Sequence, residues 1–353
     1  MVTLYVASSE PYSGKTLTCL ALGTRWQRQG LRVGYTKPLG LLPVTMGEEV
    51  TDEDSRFVAE QLKLDVSPSH LCPILLNEDT CPCHMEAEEA RGKVKEAFAA
   101  SAAGTDVILV GGTGSLLSRG SMVGLEGATV VEMLDAKVLL VCRCESFLDV
   151  DSIMACHRVV GERLVGVILN LVPARVKDRI RDEVVPYLEG MGMPVLGLVA
   201  SDPVLHSVSV RELAEATGGE LLSGEEAAEE LVENFVVGAM GVEGALRYFR
   251  RTPRKCVITG GDRSDIQLAA LETPTKCLIL TGDLRPRHTV LARAAELGVP
   301  VLLVSHDTLR TVTTIEEMLG KLRVREPRKI ARAVEHFEAN LELAKLDAAL
   351  GLG

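Results

Sequence analysis

Apolar residues in the first half of the chain gather in short β-branched runs separated by longer amphipathic stretches. The runs are Val2–Ala7, Arg32–Thr36, Asp106–Val110, Val138–Cys142, Val165–Asn170 and Val195–Val199. Most are nearly continuous in Val, Ile and Leu, as strands buried on both faces must be. Between them, helical patterns run over Lys15–Gln27, Asp54–Leu62, Glu86–Ala102, Asp149–Glu162 and Lys177–Met191. Strand–helix alternation of this kind predicts an α/β fold, a doubly wound parallel sheet covered by helices.

The pattern shifts at Glu220–Glu233. Glu225, Glu226, Glu229 and Glu230 read as the solvated face of an acidic linking helix, placed at 216–236. Beyond it a smaller α/β unit, over 237–326, carries its own repeat. Cys256–Thr259 leads into Gly260-Gly261-Asp262-Arg263, and Cys277–Leu280 leads into Thr281-Gly282-Asp283-Leu284-Arg285. A third strand, Val301–Ser305, ends at His306-Asp307, and helices over Ser264–Leu271 and Arg287–Leu297 make short crossovers. Finally Ile330, Val334, Phe337 and Leu341 share one face of a C-terminal helix at 327–353. That apolar seam is expected to dock on its own domain or on another subunit.

Composition narrows the function classes. At 353 residues the chain exceeds what one core of roughly 250–300 residues holds, so two domains are expected, the first over 1–215. Lys+Arg of 38 against Asp+Glu of 49 gives a formal charge of −11, and aromatics are only 3%. Both disfavour nucleic acid as a partner, the first through phosphate electrostatics and the second through base stacking. No apolar run approaches the roughly 18–20 residues of a membrane span, and the N-terminus lacks a basic signal region. A cytoplasmic location and no membrane partner are therefore expected. Nine cysteines without a regular framework read as reduced thiols.

Candidate chemistry concentrates at Ser9-Glu10-Pro11-Tyr12-Ser13-Gly14-Lys15-Thr16, directly after the first strand and opening the first helix. A phosphate-binding loop needs that context, because backbone N–H groups and the helix dipole then face the anion. Ser13, Gly14, Lys15, Thr16 and Leu17 are the candidate nucleotide contacts. Lys15 would reach the β/γ-phosphates and the Thr16 hydroxyl would ligate Mg²⁺. Ser9 stands where Gly-x4-Gly-Lys-Ser/Thr begins with glycine. The competing reading makes Ser13 a helix N-cap and Lys15 a solvated lysine.

Lys37 ends the second strand, at the carboxyl edge of the sheet and near the loop if the two strands are neighbours. Asp52 and Asp54 open the next helix, with Asp54 as the candidate Mg²⁺-facing carboxylate. Nucleotide hydrolases commonly carry an acidic Mg²⁺ partner at a strand end such as Val110-Gly111. Here that position is Gly111, and Asp106 lies at the opposite end of the strand. Asn170 is placed either to read an adenine edge or to close a local Asx turn. Cys81-Pro82-Cys83-His84 with Cys72 does not complete the paired four-ligand pattern of a zinc site, and reads as loop thiols.

Taken in order, the Ser13–Thr16 loop, the Gly34–Pro38 strand end, the Asp54 helix, the Val110–Gly114 turn and Asn170 resemble dethiobiotin synthetase. The resemblance covers roughly 1–210. It implies a P-loop fold, ATP or ADP with Mg²⁺ on Gly14, Lys15 and Thr16, Lys37 near the transferred phosphoryl group or carbamate, and Asn170 at adenine. The family's acid is replaced by Gly111, and its Thr-Glu by Pro11-Tyr12, so dethiobiotin synthesis itself is not expected. Gly244–Arg251, Val257–Leu271 and Leu278–Gly282 resemble the DRTGG domain. The two domains in this order resemble the N-terminal region of long-form bacterial phosphate acetyltransferase, where they precede the catalytic domain and are linked to regulation and oligomerisation. Because the sequence holds only these two domains, acetyl transfer is not expected.

Three functions remain open at this stage. One is a regulatory nucleotide-binding protein, acting as a homodimer or on a partner enzyme. The second is an ATP-dependent carboxylate- or carbamate-activating ligase, in which Lys15 and Lys37 would be the catalytic cations, as in dethiobiotin or cobyrinate a,c-diamide synthetases. The third is an oligomerisation module whose nucleotide site has decayed. A second ligand or dimer site is expected at Thr259, Gly260, Gly261, Asp262, Arg263, Thr281 and Gly282, where two strand ends carry matching turns. Arg247, Arg250, Arg251 and Arg254 form a basic stretch suited to an acidic partner surface or a nucleotide.

Overall fold

The computed structural model describes residues 1–76, 85–202, 207–320 and 327–352. The Cys81-Pro82-Cys83-His84 motif lies outside the described residues. Two compact units emerge, Met1–Ser201 with Glu326–Gly353, and Asp202–Arg325.

The first unit runs β1 (Val2–Ala7), α1 (Lys15–Arg28), β2 (Val33–Thr36), α2 (Glu53–Leu62), α3 (Ala87–Ala102), β3 (Val107–Gly111), β4 (Lys137–Arg143), α4 (Asp149–Val160), β5 (Leu164–Val172) and β6 (Val195–Ala200). Its six-stranded sheet has the order β6-β5-β4-β1-β3-β2, and every pairing is parallel. The expected doubly wound α/β architecture is thus present. Interior strands β3 and β4 are buried through their centres, which is why their sequences lack polar alternation. After β1 the chain winds to β2 and β3 on one side, then returns to build β4, β5 and β6 on the other. The strand order therefore reverses at β1, and the crevice outside its carboxyl end is where open α/β sheets bind ligands.

The second unit contains α5 (Val210–Thr217), β7 (Glu220–Ser223), β8 (Asn234–Val237), α6 (Val242–Arg251), β9 (Lys255–Gly260), α7 (Ser264–Leu271), β10 (Thr275–Thr281), α8 (His288–Leu297), β11 (Val301–Leu303) and α9 (Thr308–Gly320). Its sheet order is β7-β11-β10-β9-β8, parallel except for β7. Alternate strand residues sort to opposite faces. Val257, Leu278 and Leu280 pack with Ala245 and Phe249 of α6. Cys256, Ile258, Cys277 and Ile279 pack with Leu213 of α5 and Ile315 of α9.

Two expectations are corrected here. The segment 216–236 is no acidic linking helix. It holds β7, a 3-10 turn at Glu225–Ala227, a short strand at Leu231–Val232, and β8. Gly218, Gly219 and Gly224 interrupt any helical period, and Leu221 and Phe235 are drawn against the sheet core. The segment belongs to the second unit, because β7 pairs with β11 and β8 with β9. The C-terminal stretch is also two helices rather than one, α10 (Pro327–Asn340) and α11 (Leu343–Leu350). They belong to the first unit. Leu341, between them, bridges the edge strand at Gly197, and the Glu342 amide donates to the Leu196 carbonyl at 2.7 Å.

Candidate functional site

The turn after β1 projects into the crevice at the switch point. Gly14 opens α1 with φ of +99°, a left-handed conformation that disfavours a side chain. A Cβ built there would lie 2.4 Å from the Asn170 Nδ2. The competing reading, with Ser13 as helix N-cap, fails. Its hydroxyl instead donates to the Glu10 carbonyl at 2.8 Å, and α1 takes no side-chain cap. The amides that begin α1 are left for another acceptor, as an anion site requires.

Lys15 is not solvated either. Its Nζ crosses the loop and donates to the Ser8 Oγ at 2.6 Å and the Gly114 carbonyl at 2.7 Å. Burial lowers its pKa to about 8, and the nearby Lys37 pushes in the same direction while Asp54 opposes it. The Ser8 hydroxyl lies 2.6 Å from the Glu10 carbonyl and 2.9 Å from the Gly114 carbonyl, and its one proton serves either, so the loop and the turn after β3 are tied together. Thr16 is half-buried beside Lys15.

Lys37 lies two strands away from the loop, because β3 sits between β1 and β2. It nevertheless joins the same electrostatic cluster. Its Nζ donates to the Asp52 Oδ1 at 2.7 Å and the Asp54 Oδ2 at 2.8 Å. Burial alone would lower its pKa, but the two carboxylates together hold it above the usual lysine value. Asp52 is fully buried and committed to structure, capping α2 at Asp54 and Ser55 and accepting from the Leu41 and Leu42 amides. Asp54 keeps its side chain 19% exposed and faces Lys37 and Lys15.

Asn170 is engaged with the loop itself. Its Nδ2 donates to the Ser13 carbonyl at 2.9 Å and its Oδ1 accepts from the Leu171 amide at 2.9 Å. Both ends of the buried amide are occupied, so the side chain braces the loop from β5. Lys15, Lys37 and Asp54 thus form one electrostatic cluster at the start of α1, with Asn170 bracing the loop at Ser13.

What lies under Gly111 was not anticipated from the sequence. The fully buried Tyr35 hydroxyl would be 2.6 Å from a Cβ at that position. Tyr35 therefore fills the space an acidic side chain at 111 would need. Its signal was available only as a tyrosine in an otherwise small-residue strand end.

In the second unit the expected turns do sit at the carboxyl ends of adjacent parallel strands, with Gly260 paired to Thr281. Their polar groups are largely engaged with one another. Thr259 donates to the Gly238 carbonyl at 3.1 Å, Thr281 shares a 2.8 Å bond with Thr308, and Arg263 forks onto Asp265 at 3.0 and 3.1 Å. A Cβ at Gly261 would fall 1.7 Å from the Leu284 carbonyl, so the two turns pack backbone to backbone. Asp262 and Gly282 lie at the exposed rim. Among the described residues no group of three or more metal-ligating His, Cys, Asp or Glu side chains occurs, and no helix is long and apolar enough to cross a membrane. The described cysteines are free and buried, Cys72 included.

Comparison with known proteins agrees with this division. Residues 2–209 match the AAA domain model and residues 212–318 the DRTGG domain model. The chain is 24% identical over 374 residues to a phosphate acetyltransferase of Deinococcus radiodurans, covering 99% of this chain and 51% of that protein. Against a phosphate acetyltransferase of Synechocystis it is 24% identical over 363 residues, covering 98% and 51%. It thus spans about half the length of the curated relatives it matches. Among solved structures it is similar to the CBS and DRTGG domains of the regulatory region of a Clostridium perfringens pyrophosphatase, complexed with its activator diadenosine tetraphosphate. That match is 20% identical, covers 45% of this chain and 76% of the other, and has a TM-score of 0.30.

Proposed function

We propose a regulatory nucleotide-binding function for this chain, which belongs to the AAA domain family over residues 2–209 and resembles the N-terminal region of phosphate acetyltransferase. The observation that carries the reading is a contrast within one crevice. The helix start and Lys15 are arranged for phosphate, while Tyr35 occupies the space of the acid that nucleotide hydrolases place at position 111. On this reading the amides from Ser13 to Leu17 and the Lys15 ammonium hold the phosphates of ATP or ADP. Lys15 must exchange its bonds to Ser8 and Gly114 for phosphate oxygens.

Mg²⁺ fits the donor set. Thr16 offers a hydroxyl and Asp54 a partly exposed carboxylate, the sparse hard-oxygen set Mg²⁺ takes when phosphate and water complete its shell. Bound there, it would neutralise phosphate charge. Without an acid at 111, the site lacks the acidic Mg²⁺ partner that nucleotide hydrolases carry at this strand end, and slow turnover or none is expected. Nucleotide occupancy would then act through self-association of the second unit or on a partner enzyme. The paired cations Lys15 and Lys37 beside Asp54 favour one competing reading, ATP-dependent activation of a carboxylate or carbamate, in which they stabilise the transferred phosphoryl group.

Titration calorimetry with Mg-ATP and Mg-ADP tests the proposal. Binding by the wild type and its loss in Lys15→Ala are expected. No binding by either protein, or equal binding by both, overturns the nucleotide site and leaves the decayed-module reading. Turnover near 1 s⁻¹, in the range of working enzymes, on adding small carboxylic or diamine substrates would favour the ligase instead.

A further inference from the structure

We infer that the second unit associates with further copies of this chain head to tail, the basic face of α6 in one copy meeting the acidic face beside α5 in the next. The inference rests on the self-association reading above and names the surfaces that would carry it.

Most described arginines in this acidic chain are paired with a carboxylate, from Arg32 with Asp106 to Arg293 with Glu296. Arg247, Arg250 and Arg251 are different. They lie exposed along one side of α6, form no ion pair or hydrogen bond, and line an open groove of about 350 Å³ with Leu246 and Glu243. Spaced three and four residues apart, their guanidinium groups share one helix face. Tyr248, 60% exposed, extends the same helix surface with an amphipathic ring. Tyrosine and arginine are the residue types enriched in protein interfaces, and the fork of arginine suits carboxylates.

The complementary surface lies on the same unit. Glu215, Glu225 and Glu229 surround a single cation, Arg211, which pairs with Glu229 at 2.6 Å. Glu226 is exposed on the same turn. The two patches belong to opposite layers of the sheet. Phe249 of α6 packs on one face with Val257 and Leu280, whereas Leu213 of α5 packs on the other with Ile258 and Ile279. A module positive on one layer and negative on the other attracts its own copies in series. Because the two patches differ, the contact is heterologous and must close into a ring or continue as an open chain. Nucleic acid is a poor alternative occupant for three arginines in a chain of net charge −11.

Sedimentation of the full chain as a function of concentration, at about 50 mM and 500 mM salt, tests this. Association at low salt that weakens at high salt is expected, since a Debye length near 10 Å at 0.1 M shrinks to about 3 Å at 1 M. Arg247→Glu/Arg250→Glu/Arg251→Glu should sediment as a monomer, and so should Glu225→Arg/Glu226→Arg. An equimolar mixture of the two variants should regain a complex, because each retains one intact face. A wild type that stays monomeric at low salt overturns both this contact and the self-association reading. If the wild type associates and either variant associates equally well, this contact is wrong and self-association stands by another surface. Circular dichroism of both variants guards against misfolding, and recovery on mixing cannot come from unfolded chains.

Discussion

The C-terminal helices dock on the first unit through a buried apolar seam and through Asp347, and removal of the Asp347 carboxylate can be read by the chain's single tryptophan. Trp26 on α1 is fully buried, and its indole N–H donates to the Asp347 Oδ1 at 2.8 Å. The other carboxylate oxygen takes the Arg25 guanidinium at 2.8 Å. Asp347→Ala leaves a buried N–H unpaired, which costs about 1–3 kcal/mol. Arg25, at 28% side-chain exposure, also loses its partner, and the contribution of a partly solvated pair adds about 1 kcal/mol at most. The total is about 1–4 kcal/mol. With a urea m-value of roughly 2–3 kcal/mol/M for a unit this size, the midpoint should fall by about 1 M. Trp26 fluorescence reports this unit alone, since the other unit contains no tryptophan. Asp347→Asn keeps an acceptor for the indole and removes only the charge, so it should lose less than half as much. A midpoint within roughly 0.2 M of wild type for Asp347→Ala, below the scale of the lost bond, would refute the docking account. Equal losses for Ala and Asn would show that the charge rather than the indole bond holds the helices.

Gly14→Ala should abolish nucleotide binding in calorimetry and lower the first unit's stability by about 1–2 kcal/mol, from left-handed strain and the clash with Asn170. Because Lys15 releases its proton near pH 8 in the free site and phosphate favours the cation, affinity for Mg-ADP should fall as pH rises through 8, by up to about tenfold per unit; a flat profile from pH 7 to 9.5 would remove Lys15 from the contact. Gly261→Ala should unfold or severely destabilise the second unit, visible as loss of its thermal transition by calorimetry, since the new Cβ meets the Leu284 backbone at 1.7 Å. Lys255 is fully buried, its Nζ donating to the Pro274 carbonyl at 3.0 Å, and burial lowers its pKa to about 8. The unfolded chain therefore holds the extra proton between pH 8 and 10.5, and stability should rise with pH across that window; in Lys255→Met this rise should disappear from denaturation midpoints measured from pH 7 to 10.

Most of the fold was legible because buried parallel strands leave an unambiguous mark. The runs at Val2–Ala7 and Val138–Cys142 could form little else, and the switch point at β1 follows from them once β3 and β4 are placed. The acidic segment was misread because charge on a surface does not distinguish a helix face from a strand edge followed by a turn. Only the pairing of Glu220 with Leu303, across some eighty residues of sequence, makes it a strand. The hairpin Pro43–Met46/Glu49–Asp52 was missed for the same reason, and it matters because it delivers Asp52 beneath Lys37. The loop was visible at residue level, yet its internal bonds were not. Neither Asn170 behind Ser13 nor Tyr35 beneath Gly111 has a spacing that sequence could reveal, because each meets its partner across the sheet.

Tyr35 and Gly111 are best treated as one feature. A glycine at 111 alone could be repaired by a single substitution, but the tyrosine hydroxyl closes the space from the neighbouring strand, with Gly34 and Tyr35 on β2 paired to Ile108 and Leu109 on β3. Restoring an acid therefore demands two changes at once. On the proposed reading, this separates holding a nucleotide from cleaving it. The amides of α1 and Lys15 act on phosphate already present in the ground state, so they contribute affinity. An acid at 111 would instead help to hold the Mg²⁺ that neutralises charge developing on the transferred phosphoryl group, so its absence is expected to cost rate more than binding. A site retaining the first set without the second dwells in its bound state, and a long dwell is what a regulatory unit needs if occupancy is to bias an assembly. The ligase reading makes the opposite demand, since its phosphoryl group must leave the nucleotide on every cycle.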